Sequence, residues 1–513
     1  MLARVNSGAV LGIDAYVVEV EADVSSGLPA YATVGLPEGA VKESKERVAS
    51  AIRNSGYQYP LKRVTINLAP ADIKKEGAAF DLPIAVGILA ATAQTSISLL
   101  KQTIVLGELS LDGSLRSIRG ALPITAASKE AGYKSIVLPL DNAEEAGIVD
   151  GIDVLPVSNL RETVALLGGD VEIEPYRVDA QELFERSSRY EVDYSEVKGQ
   201  DHAKRALEVA AAGGHNIIMV GPPGSGKTML ARRLPTILPR MTLEEALETT
   251  KIHSVTGLLS PDSALVARRP FRSPHHTISD AGLIGGGTHP RPGEVSLANN
   301  GVLFLDELPE FNKNVLEVLR QPLEDGKVTI ARAAISLTYP ARFMLAAAMN
   351  PCPCGYYTDP SKECTCSPGQ ITKYMSKISG PLLDRIDIHI EVPALRYREL
   401  SSEQAGEGSS VVQGRVNEAR REQLDRYKEK RRIYCNAHLG PTGIREHCKV
   451  DSDSHSLLKR AITKFGLSAR AYDRILKVAR TIADLESCPD ILPSHISEAI
   501  QYRSLDRHYP LPP

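Results

Sequence analysis

Apolar positions in this chain fall into short runs that alternate with stretches of helical spacing. In the first third, strand-like runs at residues 15–21, 64–68, 104–106 and 135–138 alternate with helical patterns at 39–54, 81–95 and 121–131. That alternation predicts an α/β or α+β domain over residues 1–168. Residues 169–196 are acidic, poor in apolar positions and interrupted by Pro175, and read as a linker. Runs at 217–220, 302–305 and 343–349 are continuously apolar, as in strands buried on both faces of a parallel sheet. A further strand is read at 386–392. These runs define a module over 197–395. A Ser/Gly/Glu-rich loop at 401–410 and a charged helix at 413–432 follow within a segment 396–432. The end, 433–513, reads as helical at 454–465, 469–485 and 494–505, each bounded by Ser, Gly or Pro.

The chemistry sits at the ends of the apolar runs. After 217–220 comes Gly221-Pro222-Pro223-Gly224-Ser225-Gly226-Lys227-Thr228, then Met229 opening a helix. This G-x-x-x-x-G-K-[ST] pattern between a strand and a helix is a phosphate-binding loop. Its glycines let backbone N–H groups wrap a phosphate chain at the positive end of a helix. Lys227 would reach the outer phosphates of ATP, and Thr228 would ligate Mg²⁺. After 302–305 come Asp306 and Glu307, at the carboxyl end of a strand, where α/β sheets bind ligands. Asp306 is expected to hold Mg²⁺ and Glu307 to polarise the attacking water. Asn350 ends the next run and reads either as the group orienting that water or as a turn residue before Pro351.

Composition narrows the picture. The chain has 513 residues, a net charge of −3, no Trp and 5% aromatics, so nucleic-acid binding would need a local basic surface and would find few stacking platforms. Residues 1–6 lack a secretory signal pattern, and no apolar run approaches the roughly 18 residues of a membrane span. A cytoplasmic protein with no membrane partner is expected. Four of seven cysteines, Cys352, Cys354, Cys364 and Cys366, form C-x-C, nine residues, C-x-C. Four nearby thiolates suit a structural Zn²⁺, with free thiols or an iron–sulfur centre as the other readings.

Six segments together resemble the ComM/YifB family of magnesium-chelatase-like AAA+ ATPases. They are residues 199–206 (G-Q-x-x-A-K-R-A), the phosphate loop, 271–276 (F-R-S-P-H-H), 283–287 (L-I-G-G-G), 292–298 (P-G-E-V-S-L-A) and 350–355 (N-P-C-P-C-G), and 467–485 extends the match. The resemblance implies a P-loop AAA+ core with a C-terminal helical lid, assembled as a homo-oligomeric ring, a hexamer, with ATP at subunit interfaces. It implies an arginine finger at Arg385 and a second sensor arginine at Arg470. From spacing alone, each could be a surface ion pair. It also implies pore contacts for Phe271, Arg272, His275 and His276 in an insert, and for Arg332 in a second hairpin. The two histidines read equally as a polar turn.

Residues 74–83 and 107–118 resemble the α+β Lon-protease-like domain, related to ribosomal S5 domain 2. That family's serine falls near Ala79 and its lysine near Leu122, so no Ser-Lys dyad exists and no peptidase activity is expected. Lys42, Lys45, Arg47, Arg53, Lys62, Arg63, Lys74 and Lys75 make the domain locally basic: a DNA-facing surface or a solvated face. The family implies an ATP-driven motor on single-stranded or branched DNA, a branch-migration helicase of homologous recombination in natural transformation. The alternatives are a magnesium-chelatase ATPase subunit, whose motor subunits resemble 197–513 and are expected to lack the N-terminal domain, or a remodeller of a protein partner.

Overall fold

The computed structural model describes residues 1–513 except 38, 74, 76, 96–98, 260–263, 288–289, 333–334, 358, 360–361, 395–405, 429, 431–432, 504 and 506–513. Lys74 and half of the 401–410 loop thus lie outside the described residues. The chain forms two compact units: 1–188 with 243–267, and 189–242 with 268–513.

The first unit is built on a seven-stranded mixed sheet. Its order is Ala30–Val34, Arg63–Ala69, Asp14–Ser25, Leu2–Leu11, Thr103–Val105, Ser135–Pro139, Asp153–Val157. Leu2–Leu11 and Asp14–Ser25 form an antiparallel hairpin. Gly12, at φ 71°, takes the left-handed conformation its turn needs. The helix Asp81–Ala91 packs on that hairpin and is buried at every position, so it carries no amphipathic stripe. Residues 243–267, which the sequence reading placed inside the ATPase module, pack here. The helix Leu243–Thr256 lies against Ala121–Glu130, and Ser254 Oγ donates to the buried Glu145 carboxyl at 2.5 Å. Glu145 also accepts the Leu122 N–H at 2.8 Å, and burial pushes its carboxyl up.

The second unit holds a five-stranded, wholly parallel sheet. Its order is Phe271–Arg272, Val302–Leu305, Met344–Met349, Ile217–Val220, Ile388–Glu391. The three central strands are buried at every residue, as their unbroken apolar runs require. Helices Ala469–Leu485, Ser452–Phe465 and Pro493–Gln501 form the C-terminal helical domain. The charged helix spans Ser409–Tyr427 and buries Val412, Val416, Ala419, Gln423 and Tyr427. The acidic stretch before the phosphate-loop module carries a helix, Ala180–Ser187, capped by Asp179. Among the described residues no helix is long and apolar enough to cross a membrane.

Asp81, which opens the buried helix, is fully buried and receives Arg47 through two hydrogen bonds, at 2.8 and 3.1 Å. Burial pushes its carboxyl up to about 6, and Arg47 only partly offsets this. A folded-state value above the unfolded one means that the folded state holds the proton more tightly. The associated stability is therefore full below about pH 4 and is lost as pH rises through 6, by on the order of 2–3 kcal/mol. Asp81→Asn is expected to flatten that part of the pH dependence. Hydrogen exchange of residues 81–91 at pH 4.5 and 7 reads it directly, and an unchanged difference between the two pH values would refute the assignment.

Candidate functional site: the nucleotide cleft

The phosphate loop leaves the strand Ile217–Val220 where there is no room for a side chain. A Cβ on Gly221 would stand 2.1 Å from the Val392 carbonyl oxygen. Gly224 and Gly226, at φ 77° and 87°, turn the loop through left-handed conformations, and the helix Lys227–Ile237 starts directly after. A cleft of about 410 Å³ opens there. It is lined by Pro223, Gly224, Ser225, Gly226, Lys227, Thr228, Met229, Asp306, Glu307, Met349 and Asn350.

Lys227 is only 7% exposed. Its Nζ donates to the Gly221 and Pro222 carbonyls at 2.7 and 2.9 Å, and lies 3.3 Å from Ser225 Oγ and 3.4 Å from Asn350 Oδ1. Burial lowers its ammonium to about 8, against the pull of Asp306. Thr228 Oγ1 donates to Asp306 Oδ2 at 2.7 Å, so the two oxygens expected to share Mg²⁺ are already adjacent. Glu307 sits in the left-handed region at φ 52°, its N–H on Asp306 Oδ1 at 3.0 Å. This turn aims its carboxylate into the cleft while Asp306 faces Thr228. The sequence-predicted set of phosphate loop, two acids and Asn350 therefore meets at the carboxyl ends of the three central strands.

The arginines stand elsewhere. Arg385 pairs with Glu324 and donates to the Pro381 carbonyl at 2.9 Å; Arg470 donates to Asp384 at 2.8 Å. Neither lines the cleft. Of the insert residues, Phe271 stacks on the core Phe304 at 5.8 Å, and Arg272 grips Glu294 through two bonds at 2.6 and 2.7 Å. Both belong to the edge strand of the sheet, where packing and pairing occupy them. The rings of His275 and His276 lie tilted with centres 4.1 Å apart, and His276 Nδ1 comes within 3.5 Å of Glu307 Oε2. This contact between the insert and Glu307 has no signature in the sequence. Arg332 ends a strand, Lys327–Arg332, of a two-stranded hairpin with Ile335–Pro340; its side chain is outside the described residues.

The four cysteines gather with all sulfurs within 4.8 Å of one another. Three of the separations are 3.3, 3.7 and 3.6 Å. A tetrahedron with Zn–S near 2.3 Å has edges of about 3.8 Å, so the set fits zinc. Main-chain N–H groups point at two of the sulfurs, from Cys354 to Cys366 and from Cys366 to Cys364, and the Tyr356 N–H pulls the Cys354 thiol down to about 5. The cysteine loop also touches the phosphate loop. Gly355, at φ 86°, lies so close to Pro223 that a Cβ there would stand 2.6 Å from the proline ring.

The expected basic surfaces are thinner than counted from sequence. Lys75 is fully buried with its Nζ on the Ile73 carbonyl, Arg47 is spent on Asp81, and Arg53 lies over the Tyr59 ring. In the charged helix Arg415 pairs with Glu208 and Glu407, Arg420 donates to the carbonyls of Ala211 and Ala212, and Arg426 pairs with Asp484. Lys45, Arg53, Lys62 and Arg63 in the first unit and Arg421 and Lys428 in the charged segment remain exposed.

Comparison with known proteins agrees across the chain. Residues 193–400 match the family model described as magnesium chelatase, subunit ChlI; 20–142 match subunit ChlI of Mg-chelatase; and 406–503 match magnesium chelatase, subunit ChlI C-terminal. The N-terminal region thus does not by itself set the chain apart from chelatase subunits, contrary to expectation. The uncharacterized protein YifB of Escherichia coli K12 is 45% identical over 508 residues, covering 99% of this chain and 98% of the relative. The competence protein ComM of Haemophilus influenzae is 45% identical over 510 residues, with the same coverage. The magnesium-chelatase 38 kDa subunit of Rhodobacter capsulatus is 27% identical over 177 residues, 31% of this chain and 50% of that protein.

Two outcomes follow from the site. A polyphosphate beside Lys227 favours the charged ammonium, so nucleotide binding above pH 8 should take up a proton, and affinity should fall by up to ~10-fold per pH unit beyond that point. Titration calorimetry at pH 8.5 in two buffers of different ionisation heat measures the uptake; none would refute the assignment. Elemental analysis of the purified protein should find one zinc per chain, lost in Cys352→Ser. Four freely titrating thiols and no metal would rule zinc out.

Proposed function

The chain belongs to the ComM/YifB family of magnesium-chelatase-like AAA+ ATPases, and on that premise we propose that it is an ATP-driven ring motor acting on single-stranded or branched DNA. The near-full-length likeness to the competence protein ComM carries the reading, which is that of a branch-migration helicase in recombination during transformation. The intact hydrolytic set supports turnover rather than passive nucleotide binding. Lys227 meets the phosphates, Thr228 and Asp306 hold Mg²⁺, and Asn350 and Glu307 address the water. Phosphoanhydride hydrolysis needs little beyond such positioning and charge neutralisation.

In this reading Arg385 acts on the nucleotide of a neighbouring subunit in a hexamer. A planar, permanently charged guanidinium outside its own cleft suits a phosphoryl transition state presented by another chain. Arg470 serves as the sensor on the lid helix. His275 and His276 are the pore-insert residues best placed to report DNA to Glu307, and the hairpin with Arg332 supplies the second pore element. The four cysteines hold a structural zinc that braces the loop beside the cleft. The chelatase reading draws on the three matching family descriptions, but the 38 kDa subunit is 27% identical where ComM is 45% identical.

ATP hydrolysis by the full chain should be measured without DNA and with single strands, duplex and a four-way junction. Stimulation is expected, greatest on single-stranded or branched DNA. It should vanish in Glu307→Gln and drop by about 10³ or more in Arg385→Ala. Turnover indifferent to every DNA would overturn the motor reading and move the search to a tetrapyrrole or protein partner.

A further inference from the structure

The helix Ala469–Leu485 turns one stripe, Arg470, Arg474 and Thr481, toward the segment that carries Arg385. Arg470 donates to Asp384 at 2.8 Å and Arg474 pairs with Asp387. Thr481 Oγ1 lies 2.8 Å from His215 Nε2, and the other ring nitrogen of His215 lies 2.8 Å from Asp387 Oδ2. Both oxygens of Asp387 are thus engaged, and Asp387 and His215 are 6% and 0% exposed. The main chain is fixed as firmly. Asn216 Nδ2 donates to the Arg385 carbonyl at 2.9 Å, and the Asp387 N–H donates to the Asn216 carbonyl at 3.0 Å. Asn216 directly precedes the strand Ile217–Val220, which feeds the phosphate loop.

Arg385 therefore springs from a main chain pinned on one side to the phosphate-loop strand and on the other to the lid helix. A buried ion pair alone is weak evidence for a stability role, since an apolar pair often holds a fold as well. What an apolar pair lacks is direction. Two hydrogen-bonded oxygens fix the orientation of a segment, and an error of about 1 Å at a catalytic group costs on the order of 10²-fold in rate.

We propose that Asp387 is a positioning residue for Arg385: clamped between Arg474 and His215, it sets where Arg385 reaches a neighbouring subunit's nucleotide. The inference rests on the reading of Arg385 as a finger acting in trans. It makes the lid over one nucleotide a determinant of hydrolysis at the next.

Mixed rings test it. Asp387→Asn alone should lose about 10–100-fold in turnover, with the KM for ATP within about twofold of normal. Mixing it with excess Lys227→Ala, which contributes an intact Arg385 but no working phosphate loop, should restore turnover severalfold. A cleft damaged in cis would stay inactive beside any neighbour, and that result overturns the proposal. Arg385→Ala mixed in the same way must also be rescued; if it is not, the trans reading itself fails. Should Asp387→Asn not fold, Thr481→Val removes only the hydroxyl that orients His215. It should lose about 3–10-fold, again rescued in the mixture, and full activity or failed rescue counts against the proposal.

Discussion

The Lys227 ammonium is held in a poorly hydrated cleft by two main-chain carbonyls, those of Gly221 and Pro222, rather than by a carboxylate. Carbonyl dipoles satisfy its donors without cancelling its charge. The positive charge therefore remains available to an anion, which would offset the burial that lowers the ammonium to about 8. Asp306 could have neutralised the lysine, but its Oδ2 is taken by Thr228. The geometry depends on Gly221: its carbonyl reaches Nζ only because the loop passes against Val392, where no Cβ fits. Sheet, loop and helix are arranged around holding this one charge by neutral partners rather than by a carboxylate.

Much of that arrangement was legible because it rests on residue type at fixed spacing. Unbroken apolar runs gave the central strands, and the residues at their carboxyl ends gave the cleft. What escaped depends on tertiary partners. Residues 243–256 have helical spacing wherever they pack, and it is their packing on Ala121–Glu130, with Ser254 meeting Glu145, that shows they fold with the first unit. The strand Leu2–Leu11 mixes polar and apolar residues and alternates exposed and buried positions over its first half, so it lacks the continuous run that marked the central strands. Basic residues misled for the same reason. A count cannot show that Lys75 is buried on a carbonyl or that Arg426 is spent on Asp484.

The cysteine loop illustrates a different limit. The spacing of Cys352, Cys354, Cys364 and Cys366 is shorter than the usual zinc knuckle, and only the sulfur separations bring it to tetrahedral dimensions. Its position says what such a centre would do. Asn350 and Gly355 flank the first two cysteines, one meeting Lys227 and the other Pro223. Fixing the cysteines fixes both. Any change in the order of that loop reaches the phosphate loop through the Asn350–Lys227 contact and the close approach of Gly355 to Pro223.

On the proposed reading Arg385 and Arg470 raise the opposite problem, since a group that must reach a nucleotide has to be ordered yet easily released. Their partners suit this. Glu324 is 66% exposed and Arg470 itself 69% exposed, and ion pairs that face water contribute only about 0–1 kcal/mol. Exchanging Glu324 for a phosphate thus costs little. The main chain beneath Arg385 is held differently, by Asn216 and by the buried Asp387. A loosely held head on a rigidly held base lets the guanidinium change partners without losing its aim. The exposed pairs, which look like ordinary surface salt bridges from spacing alone, thus sit in the same short segment as the buried and doubly bonded Asp387.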